Sequence, residues 1–220
     1  MNKTKLIIVG EATVGKTSIL LQYNENQFIE NYITTIGNDK TIKEMTIKDK
    51  KLKVEIWDTA GQEKFRAVNK IFMKNTQIAL IVYSITDKNS FEQLKFWIEQ
   101  VKEINKNEKI IFGIAANKSD LFEQQIISTE VGKKFAEDNK CLFFETSAKD
   151  HKSIVTVFEK LIEKYVDCNL NEKGENKNVK NHNNNSDKVE NENKIQLDVE
   201  KEEINNLITE RERNDSSSKC

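Results

Sequence analysis

Across residues 3 to 167, apolar runs alternate with segments of helical period. Lys5 to Val9 reads as a first strand, followed by a glycine-bearing loop and a helix from about Lys16 to Tyr23. Lys40 to Ile47 and Lys51 to Trp57 alternate in polarity around Lys48-Asp49-Lys50, which predicts an antiparallel hairpin at a sheet edge. Ile78 to Tyr83 and Ile110 to Ala115 are continuously apolar, as strands buried on both faces must be. Between them Phe91, Leu94, Trp97, Ile98 and Val101 recur at three- and four-residue steps, the stripe of an amphipathic helix opening at Ser90. Cys141 to Phe144 reads as the last strand. Ser153 to Val166 reads as the last helix, with Ile154, Val157, Phe158, Leu161, Ile162 and Tyr165 on one face.

This alternation predicts an α/β domain over residues 1–168: a mixed, mostly parallel six-stranded sheet with helices on both faces. After Cys168 the composition shifts to Asn, Lys, Glu and Ser, and residues 169–220 read as a disordered tail with too little apolar surface to offset its ordering entropy. Ile204, Leu207 and Ile208 could form one face of a short helical turn there.

Composition narrows the function classes. The 220-residue chain has a formal net charge of −1, so nothing global points to nucleic acid or to an acidic membrane surface. Its three cysteines, Cys141, Cys168 and Cys220, have no paired spacing, which fits a reducing compartment and neither a disulfide framework nor a zinc site. The apolar run Leu6-Ile7-Ile8-Val9 is too short for a signal peptide or a bilayer span, so a cytoplasmic chain is expected.

Three separated segments carry the chemistry, each placed after an apolar run. Gly10-Glu11-Ala12-Thr13-Val14-Gly15-Lys16-Thr17 has the spacing of a phosphate-binding loop, with Ser18 continuing the helix. Its glycines let successive backbone N–H groups turn toward phosphate oxygens, and the helix that starts there adds its positive end. Lys16 is expected to reach the terminal phosphates, and the Thr17 hydroxyl to bind Mg²⁺. Asp58-Thr59-Ala60-Gly61-Gln62 ends another apolar strand. There Asp58 can face the metal, Gly61 can give a backbone N–H to the terminal phosphate, and Gln62 can orient an attacking water. Read alone, Asp-Thr-Ala-Gly would be an ordinary turn. Asn117-Lys118-Ser119-Asp120 follows a third strand, and a carboxylate at Asp120 accepts the two donors on the guanine edge that adenine lacks. Glu145-Thr146-Ser147-Ala148-Lys149 stands where a second base-contacting loop is expected. Together these residues imply a guanine-nucleotide site that takes GTP or GDP with Mg²⁺.

The chain resembles the Ras superfamily of small GTPases, and the Rab family within it, over about residues 5 to 167. Ile56 to Arg66 (Ile-Trp-Asp-Thr-Ala-Gly-Gln-Glu-Lys-Phe-Arg), Tyr83-Ser84-Ile85-Thr86 and Trp97 carry the Rab likeness. The resemblance implies a slow GTP hydrolase whose switch segments, roughly residues 30 to 40 and 59 to 75, are ordered by the terminal phosphate. It implies that Phe28 packs on the guanine, that Thr35 joins Thr17 and Asp58 at the metal, and that Gln62 and Lys16 are catalytic. It further implies that Ala12, Thr13, Val14 and Gly15 line the phosphates, that Ser147 and Ala148 face the base, and that Lys118 and Lys149 flank it. Ile36, Trp57 and Phe72 would meet effectors. The expected partners are effectors, an exchange factor and a GTPase-activating protein, with a Rab escort protein and a prenyltransferase if Cys220 is lipidated. A monomer that binds no nucleic acid is expected, acting in vesicle traffic, cytoplasmic or peripheral on the cytosolic face of endomembranes.

Three positions depart from the family pattern. Lys40 stands where an aromatic effector-contacting residue is usual, which alters partner choice. Ala12 and Thr13 add side chains near the terminal phosphate. The chain ends in the single Cys220, which does not fit C-a-a-X and lacks a neighbouring polybasic patch. An alternative reading is a nucleotide-gated binding module with negligible hydrolysis, supported by Ala12-Thr13 and opposed by Gln62. A P-loop kinase or ATPase is opposed by Asn117 to Asp120.

Overall fold

The computed structural model describes residues 3–29, 39–58, 71–106 and 109–175. Six strands form one sheet: β1 (Lys3–Val9), β2 (Asp39–Ile47), β3 (Lys50–Asp58), β4 (Ile78–Ser84), β5 (Ile111–Asn117) and β6 (Leu142–Glu145). Their spatial order is β2-β3-β1-β4-β5-β6. Only the β2–β3 pair is antiparallel; β3, β1, β4, β5 and β6 run parallel. The mixed, mostly parallel six-stranded sheet expected from the sequence is therefore present.

Strand alternation divides the core into two layers. Leu6, Ile8, Val54, Ile56, Leu80 and Val82 point to a face packed with Ile19 and Tyr23 of α1 (Lys16–Glu25) and with Ile154, Phe158 and Leu161 of α5 (His151–Glu175). Ile7, Val9, Ile81, Tyr83 and Ile114 point to the opposite face, where Leu94, Trp97, Ile98 and Val101 of α3 (Leu94–Ile104) and Ala136 of α4 (Thr129–Asp138) meet them. All seven residues of β4 are buried, because this strand has a neighbour on each edge and a helix layer on each face.

The hairpin turn sits at Lys48-Asp49, both at positive φ (50° and 61°), the geometry that matches strand twist in a two-residue turn. The helix expected to open at Ser90 is two pieces, α2 (Lys88–Glu92) and α3, joined at Gln93. Asp87 caps α2 by accepting from the Asn89 backbone N–H. Helix α5 continues past Val166 to Glu175.

The carboxyl ends of β1, β3, β5 and β6 carry the loops in which the sequence concentrates its chemistry. From β1 the chain passes to the β2–β3 side of the sheet and then returns to β4 on the other. A reversal of this kind opens a crevice at the strand ends where ligands bind in open α/β sheets. The expected roles of Thr35, Ile36, Gly61, Gln62 and Cys220 fall on positions outside the described residues, as does most of the tail.

Candidate nucleotide site

The phosphate loop is shaped by three residues of positive φ: Gly10 (145°), Thr13 (63°) and Gly15 (97°). Close approach makes the two glycines obligatory. A Cβ on Gly10 would stand 2.2 Å from the Val82 carbonyl oxygen of β4, and one on Gly15 would stand 2.4 Å from Nδ2 of Asn117. Thr13 has no such relief; a β-branched residue holds a conformation that glycine adopts without strain.

Lys16 opens α1 with its side chain folded back over the loop. Its Nζ donates to the Gly10 carbonyl at 2.9 Å and to the Glu11 carbonyl at 2.6 Å. Burial lowers its pKa to about 8, against the opposing pull of the Asp58 and Glu11 carboxylates. An ammonium held this way is a cation short of solvation, and it gains more from a phosphate than an exposed lysine would.

One residue further along α1, the Thr17 hydroxyl donates to Oδ2 of Asp58 at 2.5 Å. Asp58 ends β3 fully buried. Hydroxyl and carboxylate oxygens are the hard donors Mg²⁺ prefers, so the pair fits this ion. Among the described residues no cluster of three or more His, Cys, Asp or Glu side chains could hold a metal. A divalent ion here would complete its shell partly from phosphate and water, as Mg²⁺ characteristically does.

Base-reading chemistry gathers at the ends of β5 and β6. Asp120 Oδ1 accepts from the Ser147 hydroxyl at 2.7 Å, and Oδ2 pairs with Lys149 Nζ at 3.3 Å. Partial burial works to raise the Asp120 pKa. The Ser147 hydroxyl, the backbone N–H and Lys149 outweigh that and hold the carboxyl below its usual range. It is thus an ionised acceptor at neutral pH. Lys149 Nζ also lies 5.3 Å from the centre of the Phe28 ring, a large apolar surface left 40% exposed. Lys118 adopts φ 64°, turning the chain out of β5. The Ser119 N–H donates to the Thr146 carbonyl at 3.0 Å, so the two base loops are laced together.

Asn117 links the two halves of the site. Its Nδ2 donates to the Val14 carbonyl at 2.8 Å, and its Oδ1 accepts from the Thr146 hydroxyl at 3.3 Å. Neither contact is legible in the linear motif, which places Asn117 beside Asp120 but not beside the phosphate loop.

Trp57 and Phe72, expected at the effector surface, are in contact, with ring centroids 5.4 Å apart. Lys40, directly across from Trp57 in the hairpin register, places its Nζ 5.2 Å from the indole centre. The lysine therefore occupies the usual aromatic position through a cation–π contact.

The site residues thus sit at Lys16, Thr17 and Asp58 on one side and at Phe28, Asn117, Asp120, Ser147 and Lys149 on the other. Comparison with known proteins agrees in extent: a description of the Ras family matches residues 5–167. The chain is 41% identical over 155 residues to Ras-related protein RabQ of Dictyostelium discoideum, covering 70% of this chain and 76% of that one. It is 40% identical over 157 residues to Ras-related protein Rab-11B of the same organism, covering 71% of each. It is 38% identical over 162 residues to Ras-related protein Rab-18 of Caenorhabditis elegans, covering 74% of this chain and 79% of that one.

Proposed function

The chain belongs to the Rab family of Ras-superfamily small GTPases, and from that premise we propose how its own residues hold and read guanine nucleotide. As a family member it binds GTP and GDP with Mg²⁺, hydrolyses GTP, and works with effectors, exchange factors and activating proteins. The membership does not favour a binding module without hydrolysis.

In the proposed site the loop from Ala12 to Gly15 surrounds the phosphates, and Lys16 neutralises their terminal charge. Thr17, Ser18 and the first turn of α1 present the helix N-terminus to them. Thr17 and Asp58, with Thr35, would hold Mg²⁺, which would supply Lewis-acid neutralisation of phosphate charge. Gln62 orients that water; an amide is too weak a base to do more. Gly61 donates its backbone N–H to the terminal phosphate. Asp120 accepts the paired donors of guanine while Ser147 and Lys149 fix its carboxylate, and Ala148 offers its N–H to the base oxygen. Phe28 and the stems of Lys118 and Lys149 cover the ring. Ile36, Trp57 and Phe72 report the nucleotide state to effectors, with Lys40 favouring an acidic contact. The output is effector recruitment in vesicle traffic.

The convergence of the phosphate loop and Asp120 through Asn117 is the observation that best supports this assignment. The test is nucleotide competition on Asp120→Asn. Preference should pass from guanine to xanthine nucleotides, because an amide can donate where the carboxylate only accepts. Retained guanine selectivity would remove Asp120 from base recognition. Gln62→Leu should lower single-turnover hydrolysis sharply with nucleotide affinity nearly intact.

No helix among the described residues is long and apolar enough to cross a membrane. Peripheral attachment to the cytosolic face of endomembranes through a prenylated Cys220, delivered by an escort protein and a prenyltransferase, is the matching proposal. The intact mass of the protein from its own cells tests it, since an unmodified Cys220 would rule that anchor out.

A further inference from the structure

The protein has two tryptophans, and their indole nitrogens are treated differently. Trp57 Nε1 is buried without a hydrogen-bond partner among the described residues. Trp97, only 3% exposed on α3, donates from Nε1 to Oε1 of Glu11 at 3.1 Å, across 86 residues of chain. Glu11 is the second residue of the phosphate loop.

Packing alone does not require this arrangement. The Trp97 ring lies among Leu94, Ile98 and the Ile7–Ile81 face of the sheet, where an apolar ring would fill the same layer. The indole adds one directional donor, and burial in a close-packed layer fixes where that donor points. Glu11 acts at two levels. Its backbone carbonyl accepts from Lys16 Nζ at 2.6 Å, and its carboxylate is one of the charges that favour the protonated Lys16. A continuous path therefore runs from the α3 core through Trp97 and Glu11 to the lysine that meets the phosphates.

We propose that Trp97 is a positioning residue for the phosphate loop: its indole N–H holds Glu11, and through Glu11 it sets the carbonyls that seat Lys16 and slows nucleotide release. The proposal rests on the assignment of Lys16 to the phosphates. It makes α3, a helix outside the three nucleotide-binding segments, a determinant of how long nucleotide stays bound.

The test is release of a fluorescent GDP analogue from the full chain in the presence of Mg²⁺. Trp97→Phe keeps a ring in the layer and removes the donor. Glu11→Ala removes the acceptor, and Glu11→Gln keeps an acceptor oxygen. Release from Trp97→Phe and from Glu11→Ala should each rise roughly tenfold, the scale of one hydrogen bond to a charged group. The double variant should be no faster than either single one, because the two residues act through one contact. Glu11→Gln keeps the acceptor oxygen but loses its charge, so its release should fall between the wild type and Glu11→Ala. Unchanged release from Trp97→Phe, multiplicative effects in the double variant, or Glu11→Gln as fast as Glu11→Ala would each overturn the proposal. If Trp97→Phe does not fold, the Glu11→Ala and Glu11→Gln pair decides: a graded rise, larger for Ala than for Gln, supports the path, and both normal ends it. A wild-type chain that binds no GDP would remove the phosphate-site assignment as well, whereas normal binding with unmoved release removes only the role of Trp97.

Discussion

Asn117 and Val14 lie 103 residues apart in sequence and are joined by a buried hydrogen bond of 2.8 Å from Nδ2 to the carbonyl. The bond ties the phosphate loop directly to the base loop. Asn117→Asp would set a carboxylate oxygen against that carbonyl at a position only 1% exposed. A loss of about 2–3 kcal/mol is expected, seen in thermal unfolding as a drop of roughly 5–10 °C. An unchanged midpoint would mean that the two loops are held together by other contacts.

Lys16 should couple nucleotide binding to proton uptake at alkaline pH. Its folded-state pKa of about 8 lies below its ordinary value of 10.5, so between these values the unfolded chain binds more protons. Stability without nucleotide should rise with pH across that window, since holding the buried ammonium costs stability below it. A phosphate favours the charged form, so GDP binding above pH 8 should take up a substantial fraction of a proton, and at pH 6.5 almost none. Calorimetry in buffers of different ionisation enthalpy measures the uptake. No buffer dependence at pH 8.5 would contradict the lowered value.

Thr13 stores backbone strain at φ 63°. Thr13→Gly should stabilise the chain by about 0.5–1 kcal/mol, the relief exceeding the added unfolded-state entropy. Thr13→Ala keeps a Cβ and should gain little, which separates strain from loss of the hydroxyl. Urea midpoints at constant slope make the comparison.

Tyr83 carries a buried hydroxyl with no hydrogen-bond partner among the described residues, and a Cβ on Gly132 of α4 would stand 2.5 Å from it. Tyr83→Phe should be neutral or stabilising by up to about 1 kcal/mol, because it deletes an unsatisfied polar group. Gly132→Ala should destabilise by about 1–3 kcal/mol despite alanine's better helix propensity. Combining the two should recover part of that loss, and additive chemical denaturation would show that the hydroxyl is not the obstacle.

The strands and the site motifs were legible because each depends on short-range pattern: apolar runs for β1, β4 and β5, and fixed spacing for Gly10 to Thr17 and Asn117 to Asp120. Helix α4 gave no such signal. Gly132 and Ala136 are buried along it and Phe135 packs partly against the core, an inward face too short and too rich in small residues to stand out as an apolar stripe. Its cap was readable in principle, since Ser128 accepts from the Val131 N–H. The break at Gln93 was invisible because Phe91 and Leu94 keep helical spacing across it. The Asn117–Val14 and Trp97–Glu11 bonds depend on where whole strands and helices are stacked, which local pattern does not encode.

Because β2 lies at the rim of the sheet, with β3 as its one strand neighbour among the described residues, its nine-residue backbone has an outer side with ladder groups able to pair with another chain. Its sequence, Asp-Lys-Thr-Ile-Lys-Glu-Met-Thr-Ile, sets Lys40 and Glu44 on either side of the exposed Ile42, while Lys43 turns to the other face over Tyr23. A second copy adding in register would have to bring like charges together and strip them of water. Charges on an edge strand work against sheet-to-sheet pairing, so exchanging Lys40 and Glu44 for apolar residues should make this rim prone to self-association.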